Sequence, residues 1–266
     1  MPPLTVSLLG VGLLGPGLPG WAEARAVLAG QASCQAQPTV VPAPQRLPAA
    51  ERRRAGLAIK LALAVAESAC ADAAIAPQAL STVFTSSSGD GSNCHALCEA
   101  LAGEDRLISP TRFTNSVHNA AAGYWHIAVG NQESSTSLCA YDASFGAGLV
   151  EAVMQLHAGA GPLLLVASDT PYPEPLNATR PLPDSFGVAL VLGGPAAGGR
   201  RLSVRPVAAQ QGPAPSRCTD PALEALRRSI PAARALPLLE ALAAERHEPV
   251  VIEYQSSLHL LLQVLP

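Results

Sequence analysis

The stretch at residues 134–157, SSTSLCAYDASFGAGLVEAVMQLH, constrains the chain most, because its hydrophobic period changes partway along. Residues 134–140 are short, β-prone and thiol-bearing. From Asp142 onward Ala143, Ala147, Val150, Met154 and His157 recur at helical spacing, with Gly146, Ala147 and Gly148 in the first turns. A strand that turns sharply into a small-residue helix exposes one side chain at the helix N-terminus, where unpaired N–H groups carry partial positive charge. In many acyl-transfer enzymes that elbow residue is a nucleophilic Ser or Cys. Here it is Asp142.

A chain of 266 residues can bury a sizeable core. Its 48% hydrophobic and 14% charged residues, with mean hydropathy +0.24, describe a compact soluble protein or one that hides a large surface against a partner. A net charge of −3 gives no electrostatic reason to expect nucleic acid. No apolar run reaches the length of a membrane span. The opening MPPLTVSLLGVGLLGPG lacks the basic start of a secretory leader and is broken by Gly and Pro, so a cytoplasmic protein is expected. Cys94 and Cys98 form a C-x-x-x-C pair around His95, but no second ligand pair lies nearby. The six cysteines are therefore expected to be buried thiols, with neither metal nor cofactor.

Along the chain, residues 4–11 read as a buried strand and 21–29 as a short helix closed by Gly30. Pro48 opens a long helix to about residue 74, with Arg53, Lys60 and Glu67 marking its wet stripe. Arg52, Arg53 and Arg54 at its start oppose the helix dipole; they are either a solvated surface or a site for an acidic partner. Residues 80–85 form the next strand, 95–102 a helix, and 116–129 a helix whose Ala120, Ala121, Ala122 and Gly123 allow another backbone to come close. His118, His126 and His157 fall in helical segments and read as packed or solvent-facing. Strands follow at 162–168 and 185–192, and after the GGPAAGGRR turn come a strand (202–209), two helices (220–229 and 232–244) and two closing strands (250–253 and 258–264). The alternation predicts an α/β protein with a mixed sheet covered on both faces.

The opening VSLLGVGLLGPGLPGWAEARAVLAG resembles that of β-ketoacyl synthases, and NSVHNAAAGYWHIAVGNQESSTSLCAYDASFGAGLVEA resembles their approach to the active-site elbow. PLLLVASD and DSFGVALVLGG are similar to the strands that follow, so the likeness spans residues 4–194. SPTRFTNSVHNAAAGYW beside an elbow without cysteine looks most like the short chain length factors of aryl polyene clusters. The resemblance implies a thiolase-like fold of two βα repeats with mixed sheets covered by helices. It divides the chain into a ketosynthase-like half at 1–194 and a shortened half at 195–266.

The departures from that family bear on function. Counting back from Glu151-Ala152, the family's nucleophilic cysteine falls on Asp142, and no later segment gives the His-Gly-Thr-Gly-Thr or Asn-His-x-Phe-Gly-Phe-Gly motifs that carry its two catalytic histidines. IEYQSSLHLLLQVLP stands where the second motif belongs. A carboxylate attacking a thioester would form a mixed anhydride, more reactive than the thioester it replaced. Asp142 is accordingly expected to be a helix N-cap. The expected role is a catalytically silent chain length factor that pairs with an active β-ketoacyl synthase, shapes its acyl pocket and meets an acyl carrier protein indirectly. An independent enzyme using Cys139, or a purely structural stabiliser, is the alternative. The expected interface and pocket residues are Phe113, Ala120, Gly123, Tyr124, Ser137, Cys139, Asp142 and Phe145, with residues 134–140 pairing across the dimer.

Overall fold

The computed structural model describes residues 2–35 and 37–266. Strands β1 (Leu4–Leu14), β2 (Ser81–Thr85), β3 (Ser135–Leu138), β4 (Leu163–Asp169) and β5 (Phe186–Gly193) alternate with helices α1 (Trp21–Leu28), α2 (Ala49–Arg54), α3 (Leu57–Asp72), α4 (Gly91–Ala102), α5 (Pro110–Thr114), α6 (Ala120–Val129), α7 (Ser144–His157) and α8 (Leu176–Thr179). After them come β6 (Arg200–Ala208), α9 (Pro221–Ser229), α10 (Leu236–Ala243), β7 (Val250–Gln255) and β8 (Leu258–Leu265). All eight strands form one mixed sheet in the order β3-β2-β4-β5-β1-β6-β8-β7. β2 runs parallel to β3 and β4, and the remaining pairs are antiparallel.

β1 is the seam of the sheet. Leu4–Leu8 pair with β6, while the register from Ser7 to Leu14 pairs with β5. Where β6 turns away, the N–H of Val11 donates to Asp72 Oδ2 at the end of α3 (2.8 Å), so the backbone donor is not orphaned. A Cβ at Gly10 or Gly12 would strike the Ala69 or Val65 carbonyl of α3, which is why that helix can lie directly on the strand. One core, on the α3 and α6 face, contains Leu61, Val65, Trp125 and Val166. The other, on the α1, α7 and α10 face, contains Phe145, Leu149, Phe186 and Leu239.

Three expected elements take a different form. The long helix from Pro48 is two helices, because Ala55 (ψ 120°) and Gly56 (ψ 176°) are extended between α2 and α3. A side chain at position 56 would meet Asp90 Oδ2 at 2.8 Å, so a tertiary contact occupies that bend. The arginine cluster thus ends a helix rather than starting one and complements the α2 dipole; Arg54 also pairs with Glu51 at 2.8 Å. The helix expected over 116–129 begins only at Ala120, which leaves His118 in the preceding turn. The helix expected over 232–244 opens as a 3₁₀ turn, Pro231–Ala235, before α10.

Candidate functional site: the elbow and its adjoining cavity

β3 ends at Leu138, and the chain reaches α7 through a tight 3₁₀ turn, Tyr141–Ala143. Tyr141 sits at φ 53°, a left-handed conformation that is uncommon for a bulky residue. The hydroxyl of Ser144, 1% exposed, knits the turn together. It accepts from the Ala140 N–H (3.0 Å) and lies within hydrogen-bond reach of the Ser86 (2.9 Å) and Tyr141 (2.7 Å) carbonyls.

Asp142 is not the N-cap. That position belongs to Ala143, and no side chain among the described residues caps α7. Each carboxylate oxygen of Asp142 instead accepts from an arginine: Oδ1 from Arg180 Nη2 (2.7 Å) and Oδ2 from Arg234 Nη2 (3.3 Å). Arg180 stacks over the Tyr141 ring, 3.4 Å from its centroid. Burial, and then the like charge of Arg234, pull the Arg180 pKa down. The ion pairs continue from Arg234 to Glu253 (3.7 Å), to Arg227 (3.1 Å) and to Glu224 (2.7 Å), joining the elbow to the 3₁₀ turn at Pro231–Ala235, β7 and α9. Arg180 and Arg234 lie 38 and 92 residues from Asp142, so no local pattern announces them.

A cavity of about 310 Å³ lies beside the elbow, between α3, α6 and the ends of β2 and β3. Asp169, buried at the end of β4, fixes one wall: it accepts from the N–H groups of Ser87 (2.7 Å) and Ala232 (2.8 Å). Burial pushes its carboxyl up. Tyr172 OH holds the same loop through Ser87 Oγ (3.1 Å) and Ser88 Oγ (2.6 Å). A more polar cleft of about 550 Å³ adjoins the cavity through Asp90 and Asn115 and carries Arg53, Arg54 and Arg112.

Of the expected site residues, Ala120 and Ser137 line this cavity. Phe145 does not: it is 1% exposed, inside the core. Tyr124 is buried in the opposite core and donates its hydroxyl to Asn115 Oδ1 (3.1 Å). Phe113 is 66% exposed on α5, outside the cavity wall. The small-residue run of α6 does not form one face either, since Ala122 turns into the core while Gly123 meets open space. Cys139 is exposed as a residue, with its sulfur 3.9 Å from His118 Nδ1; the partial desolvation of that sulfur pushes its thiol pKa up. The expectation of buried thiols holds for Cys70 and Cys218 but fails for Cys94, Cys98 and Cys139, which are exposed. Among the described residues no group of three His, Cys, Asp or Glu side chains could hold a metal ion.

This sheet with helices on both faces and a strand–elbow–helix at its edge is a thiolase-like, ketosynthase-type architecture. The chain superposes with TM-score 0.74 on a ketosynthase (ApeO) in complex with its chain length factor (ApeC) from Xenorhabdus doucetiae, at 22% identity over 98% of this chain and 99% of that one. The ishigamide ketosynthase/chain length factor gives TM-score 0.74 at 14% identity, covering 98% of this chain and 100% of that one. A type II polyketide synthase acyl-carrier protein in complex with its ketosynthase (AntDE:AntF) gives 0.73 at 13%, with both chains fully covered at 100%. No curated protein matches the chain in sequence. The family model for the β-ketoacyl synthase N-terminal domain matches residues 21–247, and the chain belongs to that family.

Proposed function

We propose that the chain is a catalytically silent ketosynthase homologue: a chain length factor that pairs with an active β-ketoacyl synthase and shapes its acyl pocket in aryl polyene biosynthesis. The observation that carries this reading is that Asp142, on which the resemblance places the family's nucleophile, has both oxygens engaged by Arg180 and Arg234. A carboxylate paired with two arginines is a weakened nucleophile and is a poor acyl carrier besides. The open edge of β3 supports a partner. Ser135–Leu138 end the sheet with one side unpaired among the described residues, an arrangement that invites strand addition. The aryl polyene assignment rests on the resemblance of SPTRFTNSVHNAAAGYW and the elbow without cysteine. The chain would act in the cytoplasm; among the described residues no helix is long and apolar enough to cross a membrane. The arginine-bearing cleft fits an acidic carrier protein brought in by the ketosynthase.

The contact between Cys139 and His118 favours a second reading, an independent acyl-thioester enzyme. The raised thiol pKa counts against it, because the thiol and not the thiolate dominates at neutral pH. Coexpression with a β-ketoacyl synthase from the same source, followed by sizing and an elongation assay, tests the proposal. A stable complex burying more than roughly 2,000 Å², active only with both chains present, is expected. A wild-type chain that runs as a stable monomer beside its ketosynthase overturns it, and turnover by the isolated chain with acyl labelling of Cys139 supports the second reading.

A further inference from the structure

We infer that a cleft between α1, α10 and the loop before α9 binds a primary ammonium ion on a short apolar stem, with Glu240 Oε2 as its anionic partner. The cleft lies apart from the proposed partner edge: α10 packs on β7 and β8, at the other end of the sheet from β3. Every residue of α10 from Leu236 to Ala243 is buried, and Glu240, 4% exposed, is the one charged side chain among them. A buried carboxylate is costly unless a cation or several donors attend it. Glu240 has little of either. Its Oε1 accepts from the Thr219 N–H (3.3 Å), a bond that a neutral Gln could make as well. Arg246, exposed at the edge of the cleft, acts on the carboxylate only through its charge and makes no hydrogen bond to it. Burial, with the like charges of Asp220 and Glu224, pushes the Glu240 carboxyl up.

The cleft, about 440 Å³, runs from the end of α1 to Thr219, Asp220, Glu240 and Ala244. Thr219 belongs to the same wall, so the carboxylate that reaches its N–H is turned toward the cleft. The side-chain polar atoms sealed from solvent without a partner among the described residues belong to Ser7, Glu67, Trp125, Ser137 and His259. Glu240 Oε2 is not one of these: it accepts no hydrogen bond from the described residues, and solvent reaches it. Three features select the ligand. Asp220 gives its oxygens to the N–H groups of Cys34, Ala222 and Leu223, so a single carboxylate oxygen is free and a single positive charge matches it. A guanidinium fork engages both oxygens of a carboxylate, whereas an ammonium is a point donor that needs only one. The carbonyls of Leu28 and Ala29, at the negative end of α1, accept no hydrogen bond from the described residues and are available to the remaining ammonium protons. A calcium ion would require about six oxygens or more, and no group of three acidic side chains among the described residues supplies them. Val27 and Ala244 give the stem apolar contact.

The test titrates butylammonium chloride, with butanol as the uncharged control, into the full chain by calorimetry in phosphate buffer at pH 7, together with any ketosynthase that copurifies. Saturable binding of butylammonium, roughly tenfold or more tighter than butanol, is expected, the range one charged hydrogen bond gives. Glu240→Gln, which keeps an acceptor for the Thr219 N–H, is expected to fold and to lose that preference. Ala244→Leu narrows the cleft without altering its charge and is expected to weaken butylammonium binding too. No binding of the amine, equal affinities for amine and alcohol, a preference that survives Glu240→Gln, or binding unchanged in Ala244→Leu overturns the inference. Displacement of the amine by calcium chloride, but not by sodium chloride of the same ionic strength, would mark a metal site and overturn it as well. The expected result is the same with or without a ketosynthase, so it stands apart from the test of the proposed function.

Discussion

Asp142 holds apart two guanidinium groups that would otherwise face each other, their side chains 18% and 20% exposed. Asp142→Asn keeps the shape but removes the charge that neutralises them. The expected loss is about 1–2 kcal/mol, short of the full value for a buried pair because Asp142 itself is 43% exposed. Urea unfolding of the two proteins measures it, and an unchanged midpoint would mean that the arginines find other partners. On the proposed reading, Asp142→Cys places a thiol where the resemblance puts the family's nucleophile but supplies neither of its histidines, so condensation by the isolated variant is expected to stay at background. Farther along the same ionic chain, hydrogen bonding to Arg227 holds Glu224 down to about 2. Its stabilising effect is fully present above its ordinary value of roughly 4.3 and is lost as pH falls toward 2. Glu240 runs the other way. It is buried, with one carboxylate oxygen accepting from the Thr219 N–H (3.3 Å), and burial raises its pKa. Its contribution declines as pH rises past roughly 4.3. Glu240→Gln keeps an acceptor oxygen, so it should stabilise the chain near pH 7 and do nothing near pH 3. A denaturation series across pH reads both effects, and a gain that persists at pH 3 would reject the charge explanation.

At the scale of elements, the ladder between β2 and β3 decides what a proline in β3 would do. The Thr82 N–H donates to the Ser134 carbonyl (2.9 Å), and in a parallel pair this turns the N–H groups of Ser135 and Ser137 toward the open side. Ser137→Pro therefore spares the bonds to β2 while removing a donor from any strand added at the edge. The variant is expected to fold with unaltered circular dichroism yet fail to copurify with the ketosynthase; retention of the complex would show that the partner docks elsewhere. On the facing wall, Ala121→Leu fills part of the cavity and is expected to shift the complex toward shorter products by mass spectrometry, whereas Phe113→Ala leaves the product profile unchanged. Most of these elements were legible in the sequence. The strands ending in glycine, the apolar run PLLLVAS and the period change after Asp142 are local signals, and they placed β1, β5, β4 and α7. The break at Ala55–Gly56 was hidden because the flanking alanine, leucine and arginine residues all favour helix, and the bend is filled by Asp90 from a distant loop. The role of Asp142 was hidden for the same reason: an acidic residue before a helix reads as a cap until distant arginines claim its oxygens.

At the scale of the whole molecule, β1 joins the β5 side of the sheet to the β6 side. That has a consequence in time. The strand leaves the ribosome early, yet its partners begin only at Phe186 and Arg200. At roughly 5–20 residues per second, LTVSLLGVGLL waits about ten to thirty seconds with its apolar side chains and its ladder hydrogen-bonding groups unclaimed. The middle of the sheet thus cannot close before Phe186 and Arg200 have emerged, and the apolar strand must be kept from other partners meanwhile.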